Sequence, residues 1–311
     1  MKNASPFWEY VIKRQLQWAQ NCSGHRLYSG GDVNDIFRDY HFCNNYREAD
    51  RTTMALLSWV KTRRRRWTAA SLAFNVLAYR FFNGPQVVEE WWPNGLDLVK
   101  FSWKALADQL LQRQELGERI FRGAYRICPV AVDSSYRPES GVVQTCLALA
   151  QAAKTAKHWV RVLSGCSTGH EAVHYLSKGA GLPKVGEFLA YQVVLDLAYL
   201  AFWGHRIHDD SFYILGPGAI AGVSDLRKRG RLLPDRFFLR LYDEQFEEGF
   251  LDQMAHRYAG VAWPELAYPR RQHAPLTLSM NNVEFALCEF HKYNVARGLV
   301  RGRRRRRKHV R

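Results

Sequence analysis

Apolar residues recur along this chain at three- and four-residue intervals, in stretches of ten to twenty, and hardly ever alternate one-for-one with polar residues. That is the spacing of amphipathic and buried helices rather than of strands. Residues 4–22 carry Phe7, Val11, Ile12, Leu16 and Trp18 in a loose stripe and predict a helix. Asp32 or Asn34 is placed to cap a short helix through Ile36 and Tyr40. Met54–Trp67 and Ser71–Asn83 predict two more, the second stopped by Gly84-Pro85. Trp91–Gly95 reads as a turn, Lys100–Arg122 as one long helix, and Tyr125–Gly141 as irregular. Val142–Leu163, His170–Lys178, Glu187–Trp203, Pro234–Tyr258 and Leu278–Lys292 complete the helical set, with a Pro-rich loop over Ala262–Pro275. The expected class is all-α. No linker divides the pattern and no repeat appears, so the expected organisation is one compact helical domain over residues 1–296, followed by a basic, disordered tail over 297–311.

One stretch stands out within this pattern. Gly181-Leu182-Pro183-Lys184-Val185-Gly186 is a glycine-bounded turn ahead of an apolar helix. Such a turn lets backbone N–H groups point outward at a helix N-terminus, where phosphates bind readily. It resembles the helix-hairpin-helix element that grips a nucleic-acid backbone, and the equally plain alternative is a glycine-capped helical hairpin. Gly216-Pro217-Gly218-Ala219 is a second turn able to free backbone amides for an anion, or a simple loop.

Composition and charge sharpen the picture. A chain of 311 residues that is 47% hydrophobic, with ten Trp, can bury a large core. The net charge of +16 favours a polyanionic partner, nucleic acid before an anionic membrane surface. Nine cations lie within residues 297–311: Arg297, Arg301, Arg303 to Arg307, Lys308 and Arg311. Another run, Arg63 to Arg66, reads as a solvated helix face or a phosphate contact. The six Cys form no C-x-x-C pair, which argues against structural zinc, and scattered thiols suit a reducing cytoplasm. No membrane-length apolar run or signal-peptide pattern is present.

Candidate chemistry concentrates in three places. From His41 to Arg51 the chain is dense in polar groups; on a helix, Arg47, Asp50 and Arg51 would share one face, as a surface ion-pair ladder or as part of a site. Asp196 interrupts an apolar helix, where an unpaired charge is costly, so it must reach solvent, pair with Arg or Lys, or serve a site. Asp209 and Asp210 follow in a loop flanked by His205 and His208, as a catalytic acid or a helix cap; no further ligand cluster marks a metal site. Cys288 sits in an apolar helix and reads as core. No G-x-x-x-x-G-K-[ST] sequence occurs, so these residues contain no P-loop.

Three blocks taken in order, Tyr40–Arg51, Val185–Leu197 with Gly216–Ala219, and Val283–Tyr293, resemble the α-glutamyl/putrescinyl-thymine pyrophosphorylase family, whose helical domain also accompanies phage 5-hydroxymethyluracil DNA kinases. The resemblance spans about residues 36–296. It implies DNA thymine hypermodification by a phage- or prophage-encoded protein in the cytoplasm of a bacterial host. An amine or amino acid would displace pyrophosphate from activated 5-hydroxymethyluracil in double-stranded DNA, after a separate DNA kinase has acted. His291 departs from the family pattern, which favours an acid there.

On that reading Asp196, Asp50, Asp210 and Glu289 are the candidate carboxylates that take the amine's proton, with Asp196 and Asp50 foremost. Asn45, Tyr46, Arg47, Arg51, Tyr191, Gln192 and Lys292 would hold the base and the leaving group. Arg63, Arg64, Lys184, Gly186, Gly216 and Gly218 would face the DNA backbone. No cofactor is required, and a divalent metal is compatible but not indicated. A helix-hairpin-helix glycosylase and a non-catalytic DNA-binding partner of a 5-hydroxymethyluracil DNA kinase are the alternatives.

Overall fold

A computed structural model describes residues 5–23, 36–37, 39–121, 141–204, 206–227, 233–247 and 277–300. Every extended element among them is helical, as the spacing predicts, and no β-strand occurs among the described residues. The cap expected at Asp32 or Asn34, residues 125–140 of the stretch expected to be irregular, the basic loop after Arg227, the Pro-rich loop, His205 and the tail from Arg301 lie outside them, while Gly141 already begins a helix. No helix among the described residues is long and apolar enough to cross a membrane.

The chain forms two compact units, Met1–Asp50 with Tyr213–Arg311, and Arg51–Phe212. The first unit is thus built from both ends of the sequence. It contains α1 (Ser5–Ser23), a 3-10 turn (Arg47–Ala49), α9 (Pro217–Arg227), α10 (Pro234–Glu244) and α11 (Met280–Ala296). Phe7, Tyr10, Phe37, Phe42, Phe238, Leu287, Phe290 and Tyr293 lie in its core. Tyr10, Phe37, Phe42 and Tyr293 pack as an aromatic cluster, with ring centroids 5.2 Å apart for Tyr10–Tyr293 and for Phe37–Phe42. Such aromatic pairs stabilise beyond the area they bury. Ser279 caps α11 by accepting the N–H of Asn282.

Close approach of α9 and α11 depends on two glycines one turn apart. A Cβ on Gly218 would stand 2.3 Å from Cys288 Sγ, and one on Gly222 would stand 2.2 Å from the carbonyl oxygen of Leu287. The turn at 216–219, read as a possible anion cradle, therefore starts a helix whose glycines serve packing.

The second unit holds α2 (Arg51–Arg63), a 3-10 turn (Arg64–Arg66), α3 (Ala69–Phe82), a π-helical turn (Val87–Trp91), α4 (Trp103–Glu115), α5 (Gly141–Lys154), α6 (Ala156–Gly165), α7 (Gly169–His174), a π-helical turn (Tyr175–Gly179) and α8 (Glu187–Tyr199). The single helix expected over 142–163 breaks at Thr155, whose hydroxyl bonds back to the carbonyl of Gln151. This local bond competes with helix propagation. The helix expected over 100–122 is shorter, starting at the Ser102 cap and ending before Gly117 at φ +83°. α3 is buried on nearly all sides and ends at Asn83, left-handed at φ 50°.

Candidate active site

In the first unit, segment 42–50 is pinned from two directions. From α1, Arg14 donates Nε to the carbonyl of Cys43 at 2.9 Å and Nη2 to that of Phe42 at 3.0 Å, while Asn45 Nδ2 donates to the carbonyl of Val11. From α11, Asn282 Oδ1 accepts the N–H of Arg47 at 2.8 Å, and Asn282 Nδ2 donates to Glu48 Oε2 at 3.1 Å. Asn44 Oδ1 accepts the N–H of Tyr46 at 2.9 Å, closing a tight turn. The helix face expected to join Arg47, Asp50 and Arg51 does not form. Arg47 lies in the 3-10 turn, Asp50 is extended at ψ 139°, and α2 only begins at Arg51.

One face of α11 meets this segment through residues at helical spacing. The guanidinium of Arg47 lies over the Phe285 ring at 5.1 Å. Glu289 accepts the N–H of Cys43 at 3.1 Å and is paired with Lys292. Burial works against the Lys292 charge, yet Glu289 beside it holds the ammonium above the usual lysine value. An adjacent face of α11 meets α9. There Glu284 Oε1 accepts the N–H of Gly216 at 3.3 Å, and Asp225 Oδ2 lies 3.0 Å from both His291 Nδ1 and Asn294 Nδ2.

Glu284 carries a carboxyl group with altered chemistry. Burial raises it from 4.5 to about 7, against the opposing pull of the Gly216 amide and of Arg47. It is thus poised to gain or lose a proton near neutrality, beside a guanidinium whose Nε has no hydrogen-bond partner. The nearby thiols are unreactive by comparison: burial pushes Cys288 up to about 11 and Cys43 well above its ordinary value.

The second unit places Asp196 differently from a solvent-facing base. It is fully buried, and its two oxygens take Nη2 at 2.6 Å and Nε of Arg80 on α3. Arg80 also donates to Asn83 Oδ1 at 2.7 Å and to Thr53 Oγ1 at 3.0 Å. The group is a bidentate ion pair that joins α8, α3 and α2, with both oxygens engaged. Tyr191 and Gln192 are buried on α8, Tyr191 edge-on to Phe212 at 5.8 Å.

The 181–186 turn is a hairpin: the N–H of Val185 bonds to the carbonyl of Leu182 at 3.3 Å, and Gly181 and Lys184 adopt left-handed φ of 61° and 63°. Leu182 and Val185 turn inward while Gly186, the α8 N-cap, is exposed with open space where a Cβ would stand. Arg64 to Arg66 are exposed in the same unit, and Arg64 Nη2 donates to the carbonyl of Ala201 at 3.5 Å. Asp210 is half-buried and Arg51 exposed.

Of the sequence-derived candidates, the first unit brings together Asn45, Tyr46, Arg47, Asp50, Gly216, Gly218, Glu289 and Lys292; the rest belong to the second. Sequence reasoning missed Glu284 and Asn282, and the whole contribution of α1. Glu284 lies within a quoted block, but between Val283 and Phe285 it reads as one polar position on a core helix. Among the described residues no group of His, Cys, Asp and Glu is placed to hold a metal ion.

The family model described as "5-hmdU DNA kinase, helical domain" matches residues 2–299. No curated protein matches the chain, and no solved structure does.

Proposed function

The chain belongs to the family of 5-hmdU DNA kinase helical domains, which links it to hydroxymethyluracil modification of DNA, and from there we propose that it is the enzyme that completes such a modification. The reaction is attack of an amine or amino acid on the exocyclic methylene carbon of activated 5-hydroxymethyluracil. A C–N bond forms, the C–O bond to pyrophosphate breaks, and pyrophosphate leaves with the electron pair. The ammonium so formed gives its proton to a carboxylate.

The observation that carries this reading is the Glu284 site. A carboxyl group raised to about 7 accepts an amine proton at neutral pH, and Arg47 lies beside it to face the departing phosphate oxygens. Lys292, held charged by Glu289, supplies a second cation to the same unit. Asp50 and Glu289 remain in the site as groups that balance these charges. Asp196 is assigned instead to the Arg80 ion pair, and Asp210, Arg51, Tyr191 and Gln192 receive no part in the proton transfer. The 181–186 hairpin, with Lys184 and the exposed Gly186, is proposed to hold the DNA backbone together with Arg63 and Arg64. Extruding the base costs a few kcal/mol, which these contacts would offset.

A second reading is a non-catalytic partner that presents DNA to a kinase. It is favoured by the family description and by the absence of a P-loop from these residues. Mass spectrometry of nucleosides separates the two. DNA carrying pyrophosphorylated 5-hydroxymethyluracil is incubated with the protein and mixed amines and amino acids. A heavier nucleoside supports transfer, unchanged nucleosides support presentation, and abasic sites would point to base excision instead.

A further inference from the structure

Besides Arg47, whose Nε is described above, five side chains on α1 and the adjoining segment carry buried hydrogen-bonding atoms without a partner: the phenol oxygen of Tyr10, Nη1 of Arg14, both amide atoms of Gln15, Nδ2 of Asn44 and Oδ1 of Asn45. Every one of these residues is more than nine-tenths buried, Gln15 completely so. An orphaned buried donor or acceptor forfeits its hydrogen bond to water with nothing in return. Native proteins tolerate few of them, and a concentration in two short segments calls for an explanation. The two segments are fastened to one another by Arg14 and Asn45, two of the five, so the residues that carry the orphaned atoms belong to two segments in direct contact.

The chemistry of the set is specific. Three carboxamides offer donors and acceptors side by side. Charge is already compensated: Arg14 has Glu289 and Asp50 near it, and Lys292 is paired with Glu289. A ligand with net charge would unbalance that group, whereas a neutral one carrying both donors and acceptors would satisfy it. The surroundings are aromatic, with the Tyr10 ring 6.3 Å from Phe42 and 5.2 Å from Tyr293. Flat, uncharged rings suit such walls.

We infer that Tyr10, Arg14, Gln15, Asn44 and Asn45 form a recess that reads the imide edge of a uracil-type ring. That edge runs carbonyl, N–H, carbonyl. Its complement is an amide oxygen flanked by N–H donors, which Asn45 Oδ1 with the free amides of Asn44 and Gln15 and Nη1 of Arg14 provide. The inference rests on the reading that this unit acts on a base, and extends it by naming the residues that choose the base.

The test is fluorescence anisotropy with the full chain and single-stranded oligonucleotides that differ at one base: 5-hydroxymethyluracil, its N3-methylated form, or cytosine. The wild type is expected to bind the first at least tenfold more tightly than the other two. Gln15→Leu should reduce that preference to within twofold while raising the melting temperature, because it removes orphaned polar atoms. Tyr10→Phe, which deletes one oxygen, should weaken the preference without harming the fold. Competition by free 2′-deoxyuridine tells whether the recess takes a nucleoside or only a base presented by DNA. Equal binding of all three oligonucleotides by the wild type overturns the inference, as does an undiminished preference in both variants. No turnover is required, so base preference without pyrophosphate release would leave the recess standing and sink the transfer reaction, and release without base preference would do the reverse.

Discussion

Glu284 accepts the backbone N–H of Gly216 at 3.3 Å, and this bond joins the first turns of α11 to the start of α9. It also places a carboxyl group at a helix N-terminus in a buried setting. The protonation of that carboxyl group has a consequence for stability. Burial raises it from 4.5 to about 7, so between those values the folded state binds a proton that the unfolded state does not. Its contribution is greatest below pH 4.5 and is lost as pH rises through 7, a swing of about 3 kcal/mol. Glu284→Gln mimics the protonated form and should lack the swing. Urea unfolding at pH 5 and pH 8 checks this: the variant should gain on the wild type by about that amount at the higher pH. An identical gap at both pH values would contradict it.

Asp196 is expected to matter for folding. Replacing it by Ala leaves Arg80 buried without its carboxylate, which costs about 3–5 kcal/mol. The double replacement Arg80→Leu with Asp196→Leu should recover much of that loss, since both buried charges then disappear. A chemical denaturation series on the single and double variants decides it. A fully stable Asp196→Ala protein without activity would return Asp196 to the candidate bases.

The two glycines of α9 should respond differently to the same methyl group. Gly218→Ala collides with the Cys288 side chain, and Gly222→Ala with the backbone at Leu287. Each is expected to cost about 1–3 kcal/mol. Adding Cys288→Ala should relieve the Gly218 variant and leave the Gly222 variant unimproved, as read from thermal melts of the four proteins.

If the 181–186 hairpin and the Arg run hold the DNA backbone, their removal should act through salt. Lys184→Ala and Arg64→Ala are each expected to reduce the slope of log affinity against log salt by about 0.9 on duplex DNA. The loss should be uniform across sequences. Titrations at several salt concentrations measure it, and unchanged slopes would remove these residues from the interface.

These features were legible in the sequence to different depths. Helical periodicity identified most of the helices because burial of one face imposes its own spacing. It could not locate the breaks at Asp50 and Thr155, where a local turn and a hydroxyl bond override the apolar pattern. The sequence required Asp196 to find a cation, solvent or a site, but its partner Arg80 lies 116 residues away inside another apolar helix. No single-sequence spacing connects the two. The Tyr40–Arg51 block was visible as a dense polar stretch and the Val283–Tyr293 block through its family resemblance, and the structure joins them through Phe285 and Glu289, with Asn282 beside the second block. Glu284 stayed hidden because its chemistry comes from burial, which depends on how closely the glycines of α9 let that helix approach.

The central claim is that Glu284 takes the amine's proton during pyrophosphate displacement. Pyrophosphate release from DNA carrying activated 5-hydroxymethyluracil, measured from pH 5.5 to 8.5 for the wild type and Glu284→Gln, tests it most directly. The wild-type rate should rise with pH through about 7 as the carboxyl group ionises. The variant should be slower by about 10²–10⁴-fold and lack that rise. A Glu284→Gln protein that keeps the wild-type rate and pH profile would contradict the account.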